Sequence, residues 1–151
     1  MGSERLLRGA LCIGGLFTAL IGIGHIFMPT LGYDNAVAAT MTQDIRDHFY
    51  YMGTYAICVF LLSFAFLSLY FSSLRYPYAS LVVCSVLAVF WISRAVFELL
   101  YPVELRIFFL EQPHNVLMPV TLFIALIYSV SALKGWMVSP VPATEDTKIL
   151  R

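Results

Sequence analysis

The chain has 151 residues, of which 60% are hydrophobic and only 12% are charged, whereas about 25% of the residues in an ordinary soluble domain are charged. Nine Lys and Arg residues balance nine Asp and Glu residues, so the net charge indicates neither an acidic nor a basic partner. These values exclude a disordered chain, a nucleic-acid-binding protein and an ordinary water-soluble domain. They indicate an integral membrane protein.

Four apolar stretches are each long enough to cross a bilayer, which needs about 20 apolar residues per helix. They cover residues 6–27, 49–71, 79–100 and 116–133. Polar and apolar residues do not alternate along them, and a lone strand in lipid would leave backbone groups unpaired. We therefore predict an all-α, polytopic membrane protein in the form of an antiparallel four-transmembrane-helix bundle. The bundle forms one domain, residues 1–135, and residues 136–151 form a polar, disordered C-terminal tail.

The distribution of Lys and Arg predicts the orientation of the bundle, because these residues accumulate in short cytoplasmic loops. The side that holds both termini and the turn at residues 72–78 carries six of them: Arg5, Arg8, Arg75, Lys134, Lys148 and Arg151. The opposite side carries three: Arg46, Arg94 and Arg106. We therefore expect a multi-pass protein whose N- and C-termini are both cytoplasmic.

Two spans carry stripes of mostly small residues at helical spacing. The stripes are Ala10, Gly14, Thr18 and Gly22 in the first span, and Cys84, Ala88, Trp91, Ala95 and Glu98 in the third. Small residues let helix backbones approach closely in a membrane, so we expect both stripes to face the other helices. The first stripe leads on to His25, which we expect to point into the bundle.

Each span contributes an ionisable residue to the outer side of the predicted bundle. His25 ends the first span, His48 begins the second, Arg94 and Glu98 lie near the end of the third, and His114 begins the fourth. Ionisable residues within a membrane span are costly and usually face a cavity or a partner. Arg94 and Glu98 are four residues apart on one helix face and can pair. We predict that these five residues form a polar cluster between the helices.

The first interpretation of this cluster is structural or ligand-binding. The protein is then a non-catalytic subunit or a binding protein. Its partners are the lipid bilayer together with other membrane protein subunits or further copies of the chain in a homo-oligomer. The sequence contains no nucleophile elbow, no phosphate-binding loop and no paired-cysteine motif, and whether the protein is an enzyme is left open.

The second interpretation is a metal- or haem-binding redox protein. Imidazole is a good ligand for copper, iron and zinc, and it also binds haem iron. The predicted metal ligands are His25, His48 and His114, with Asp44 one helical turn before His48.

The third interpretation is a pocket for an amphipathic small molecule, such as a quinone or a lipid headgroup. An Arg can hold a phosphate or carboxylate through two hydrogen bonds, and His and Glu can exchange protons with a ligand. Several aromatic residues at the same level are the predicted walls: Phe49, Tyr50, Tyr51, Trp91 and Tyr101.

The plan of four short spans, with the sequence Gly22-Ile-Gly24-His25-Ile-Phe-Met-Pro29 at the end of the first, resembles small bacterial membrane families such as the DoxX-like group. The resemblance covers roughly residues 6–133. It implies the four-span architecture and no particular function.

Overall fold

The computed structural model describes residues 2–28, 40–74, 77–102, 106–107 and 109–138. Four long helices occupy most of this part of the chain. They are α1 (Gly2–Phe27), α2 (Met52–Ser73), α3 (Pro77–Leu100) and α4 (His114–Val138). A single helical turn, Gln43–Ile45, and a π-helical segment, Arg46–Tyr51, lead into α2.

All four long helices are long and apolar enough to cross a membrane, so the described residues are consistent with the predicted all-α protein of four spans. Their apolar outer faces suit contact with the lipid bilayer. The fourth helix continues to Val138, three residues into the segment predicted as a tail. The remainder of that predicted tail, residues 139–151, lies outside the described residues.

The helices pack in two antiparallel pairs, α1 with α2 and α3 with α4. In the first pair, the Ser68 hydroxyl donates to the Leu11 carbonyl, while Gly22 lies against Leu61. In the second pair, the Cys84 thiol donates to the Tyr128 carbonyl, which is 3.4 Å away. The pairs join where α1 meets α4, with Phe17 and Phe123 in an edge-to-face contact at 5.5 Å.

These contacts give the bundle two distinct ends. The end that includes Arg8, Ser72 and Trp136 is called the Ser72 end, and there the Arg8 Nε donates to the Ser72 carbonyl at 2.8 Å. The opposite end, which includes Glu98 and His114, is called the Glu98 end. The start of α1 and the end of α4 both lie at the Ser72 end. The side of the membrane that this end faces stays a prediction.

Both stripes predicted from the sequence are buried. Ala10 and Thr18 are 4% and 0% exposed, and Gly14 and Gly22 are buried as well. The stripe of α3 is buried throughout its length: Cys84, Ala88, Trp91, Ala95 and Glu98. The spacing of small residues therefore predicted which helix faces meet, as expected for close backbone approach in a membrane.

A polar contact closes the bundle near its Ser72 end. The fully buried Tyr128 ring lies on Gly14, where any Cβ would overlap it. The Tyr128 hydroxyl lies 2.8 Å from the Ser68 hydroxyl, which itself donates to the Leu11 carbonyl at 2.7 Å. Since the single Ser68 hydrogen is used toward Leu11, the Tyr128 hydroxyl donates to Ser68. Three helices are thus joined by one pair of hydrogen bonds.

Candidate functional site

The site is centred on Glu98, whose side chain is fully buried. Its Oε2 lies 2.6 Å from the Arg94 Nη2, and its Oε1 lies 3.1 Å from the His114 Nδ1. The helical repeat of α3 places Arg94 one turn before Glu98. The start of α4 places His114 opposite, because the Pro113 carbonyl accepts the Val116 and Leu117 amides and so fixes the first turn.

The electrostatics of this group are balanced. The Glu98 carboxylate accepts a hydrogen bond from His114, so the Nδ1 of His114 carries a hydrogen. The positive charge of Arg94 offsets the negative charge of Glu98. A buried ion is tolerated only when it is paired and hydrogen-bonded. The three side chains therefore form one polar unit, in which Arg94 and His114 each retain about a third of their side-chain exposure, at 32% and 35%.

A cavity of about 520 Å³ lies beside this unit, between the four helices at the Glu98 end. All four helices contribute to it, together with Met28 and with Tyr101 and Ile107 from the segment between α3 and α4. The lining residues are Ile21, His25, Met28, Ile57, Leu61, Phe90, Trp91, Arg94, Phe97, Glu98, Tyr101, Ile107, Leu117, Val120 and Thr121. The walls are mostly apolar, and the charged side chains among the lining residues are Arg94 and Glu98.

The segment between α3 and α4 contributes to the wall of the cavity. The backbones of Ile107 and Leu110 bond to each other in both directions, at 3.2 and 2.9 Å. This tight turn leaves Ile107 only 6% exposed, while Phe109 is 83% exposed. The turn thus directs one apolar side chain into the cavity wall and another outward.

His25 lies on the last turn of α1 and lines the cavity, in agreement with the sequence-based expectation that it points into the bundle. Its Nδ1 lies 2.8 Å from the Ile21 carbonyl oxygen. A carbonyl oxygen only accepts hydrogen bonds, so the Nδ1 of His25 carries a hydrogen. In the neutral ring, the Nε2 of His25 is then the atom with a lone pair.

Two buried donors beside the cavity have no hydrogen-bond partner among the described residues. They are the Nε1 of Trp91 and the Nη1 of Arg94. A buried donor left without a partner costs about 1–3 kcal/mol. Both atoms are shielded from a water-sized probe, so a partner reaches them only when neighbouring side chains move.

The structure brings together most of the predicted cluster. His25, Arg94 and Glu98 line one cavity, and His114 joins them through Glu98. His48 is placed differently. It is exposed and does not line the cavity. Its Nδ1 lies 3.3 Å from the backbone oxygen of Asp44, four residues earlier in the chain.

The predicted metal ligands are not gathered into one group. Among the described residues, no set of three or more His, Cys, Asp and Glu side chains is placed to hold a metal ion. His25 and His48 each turn one ring nitrogen toward the backbone of their own helical segment, and His114 turns one toward Glu98. The described residues therefore do not form the predicted group of His and Asp ligands for copper, iron or zinc.

The aromatic walls were predicted in part. Trp91 and Tyr101 line the cavity, as do Phe90 and Phe97, which the sequence analysis did not single out. Phe90, Trp91 and Phe97 lie on α3 and Tyr101 lies one residue beyond its end. All four are three, four or seven residues from Arg94, so the helical repeat around Arg94 was a usable signal. Tyr51 is exposed and does not line the cavity. The side chains of the remaining two predicted wall residues, Phe49 and Tyr50, lie outside the described part of the structure.

Comparison with known proteins finds no matching family, no matching curated protein and no matching solved structure. The function is therefore argued from the site itself.

Proposed function

We propose that this chain is a small multi-pass membrane protein that binds an amphipathic small molecule in the cavity at the Glu98 end, as a binding protein or a non-catalytic subunit. The observation that carries the proposal is the cavity itself. Its volume of about 520 Å³ lies within the range of about 300–1,000 Å³ that is typical of small-molecule sites. Such sites combine apolar walls with a few polar groups, as this one does.

The arrangement of the walls indicates how an amphipathic ligand would lie. Ile57, Leu61 and Val120 offer an apolar surface from two helices. His25 and Arg94 offer polar atoms on the two other helices. A molecule with an apolar body and a polar head matches both surfaces. A fully apolar molecule would leave the polar atoms of His25 and Arg94 without partners, at a cost in free energy.

The orientation in the membrane belongs to the same proposal. The sequence carries six Lys and Arg residues on the side predicted to hold both termini and three on the other side, and this excess supports cytoplasmic termini. The Glu98 end, with its cavity, then lies toward the outer side of the bilayer. The test uses a reporter enzyme that works only in the cytoplasm. Fused after residue 151, this reporter is expected to be active. Inactivity of that reporter, together with activity of a reporter for the outer side, would reverse the orientation and leave the cavity proposal intact.

The subunit interpretation differs from the binding interpretation in its use of the cavity. A chain that only supports other membrane proteins, or a second copy of itself, has no need of a ligand between its helices. Filling the cavity therefore separates the two interpretations.

Two matched variants on α4 perform this test. Val120 lines the cavity, whereas Leu122 is 48% exposed on the outer face of the helix. We expect wild-type protein purified in mild detergent to carry a small amphipathic molecule that solvent extraction and mass spectrometry recover. Val120→Trp is expected to lose this molecule, and Leu122→Trp is expected to retain it. Equal recovery from the two variants would contradict ligand binding in the cavity. Absence of the molecule from all three proteins would contradict it as well.

A further inference from the structure

We infer that the ligand of this cavity has an uncharged, planar head with carbonyl oxygens, as a quinone has, and not an anionic headgroup. The inference rests on the proposed function, since it specifies what the cavity binds. Three observations on α3 support it independently: the charge of the polar unit, the shape of the wall and the unpartnered donors.

The charge of the polar unit disfavours an anion. Arg94 is the permanent cation among the described lining residues, and its Nη2 lies 2.6 Å from the Glu98 carboxylate. A phosphate or carboxylate head would have to compete with Glu98 for Arg94. It would also lie close to the negative charge of Glu98, where like charges repel strongly because little water screens them. An uncharged head meets neither obstacle.

The wall formed by α3 suits a flat ring. Three of its lining side chains are aromatic, namely Phe90, Trp91 and Phe97, and the aromatic Tyr101 lies one residue beyond its end. Phe90 and Trp91 meet edge to face with centroids 5.5 Å apart, and Phe97 and Tyr101 lie with centroids 5.0 Å apart. Aromatic side chains favour offset-stacked and edge-to-face contacts with other rings. A planar conjugated head can make these contacts, whereas a branched phosphate headgroup cannot.

The unpartnered donors indicate which atoms the head brings. The Trp91 Nε1 and the Arg94 Nη1 are buried and have no hydrogen-bond partner among the described residues. Trp91 is itself only 2% exposed. Indole and guanidinium groups donate hydrogen bonds and do not accept them. A head with carbonyl oxygens therefore complements them once neighbouring side chains move to admit it, and a head that only donates does not.

The two tryptophans of the chain provide a specific readout. Trp91 lines the cavity, while Trp136 lies at the Ser72 end, where its Nε1 donates to Ser85. In Trp136→Phe, the remaining indole fluorescence reports on the cavity. In the matched variant Trp91→Phe, it reports on the opposite end. Both proteins are titrated in the same detergent with a short-chain benzoquinone, and separately with a dibrominated fatty acid, which is an anionic quencher.

We expect the benzoquinone to quench Trp136→Phe with saturation, and to quench Trp91→Phe only weakly and linearly. The brominated fatty acid is expected to quench both proteins weakly and linearly. Saturable quenching of Trp136→Phe by the fatty acid, without competition from the benzoquinone, would overturn the inference and leave the proposed function standing. If neither probe quenches with saturation, the inference fails. The extraction experiment with Val120→Trp then decides the proposed function separately.

A second variant tests the role of charge. Glu98→Gln in the Trp136→Phe background removes the negative charge and keeps the size of the side chain. Arg94 is then uncompensated, so we expect the brominated fatty acid to quench this variant with saturation, half-complete at about one tenth or less of the highest concentration at which quenching of the parent protein is still linear. An unchanged preference for the benzoquinone over the fatty acid in a folded Glu98→Gln protein would contradict the charge argument. Should this variant not fold, the two single-tryptophan titrations still decide the inference.

Discussion

The contacts of the buried polar side chains differ between the two ends of the bundle. Near the Ser72 end, the Tyr128 hydroxyl is bonded to Ser68, and the Tyr128 ring fills the space above Gly14. Near the Glu98 end, a fully buried carboxylate is paired with Arg94 beside a cavity of about 520 Å³. Polar groups join helices in both places, but only at the Glu98 end do they border empty volume and include donors without partners in the described structure.

This difference shows that one small bundle can pack its helices closely at one end and keep a cavity at the other. In a membrane, close packing and interhelical hydrogen bonds hold helices together, and the contact of Tyr128 with Gly14 and Ser68 supplies both. That contact lies away from the cavity. The Glu98 end can therefore leave volume unfilled while the bundle remains closed at the Ser72 end.

The largest expected effect is at the ion pair. Arg94→Ala leaves the fully buried Glu98 without its cation. Breaking a buried pair by removing one partner costs about 3–5 kcal/mol, and we expect a loss of this order in unfolding experiments in detergent. The double variant Arg94→Met, Glu98→Leu removes both charges and is expected to regain most of the lost stability. A double variant as unstable as Arg94→Ala would show that the charge left behind is not the cause.

An intermediate effect is expected where Tyr128 meets α1. A Cβ added at Gly14 would overlap the Tyr128 ring, so Gly14→Ala is expected to destabilise by about 1–3 kcal/mol, the usual cost of overpacking. Gly9→Ala is the matched control on the same helix, because nothing lies within 4 Å of a Cβ at that position. Thermal unfolding in one detergent compares the two variants. Equal stability of both would contradict the close approach of Tyr128 to Gly14.

The smallest effect is expected for the Tyr128 hydroxyl. Tyr128→Phe removes its hydrogen bond to Ser68, while Ser68 keeps its bond to Leu11. Hydrogen bonds between membrane helices contribute about 0.6 kcal/mol on average, and we expect a loss of that order. Tyr55→Phe serves as the control, because Tyr55 is 70% exposed. If both substitutions have the same effect on the unfolding temperature, the buried hydrogen bond contributes nothing measurable.

The sequence was sufficient to predict the four spans, the buried faces of α1 and α3, and the pairing of Arg94 with Glu98. Each of these depends on hydrophobicity or on helical spacing within one segment. The contact of His114 with Glu98 depends on how α4 begins after Pro113, and a pattern within one helix does not contain that information. The same is true of His48, whose position depends on the π-helical segment before α2.

The aromatic wall and the contact at Tyr128 were harder to predict for another reason. Phe90 and Phe97 are apolar residues in an apolar helix, so their composition does not distinguish a cavity wall from a lipid-facing surface, and only their helical spacing from Arg94 carries a signal. Tyr128 stands within an apolar stretch of α4, and only Gly14 on α1 shows, once the helices are packed, why a large ring fits there. Both features are properties of helix packing.

The central claim is that the cavity at the Glu98 end holds one small amphipathic molecule. Native mass spectrometry of the intact protein, released from mild detergent after purification from its own host, tests this claim most directly. We predict a species heavier than the bare chain by one small molecule, present in the wild type and in Leu122→Trp and absent from Val120→Trp. Detection of the bare chain alone in all three proteins would contradict the claim.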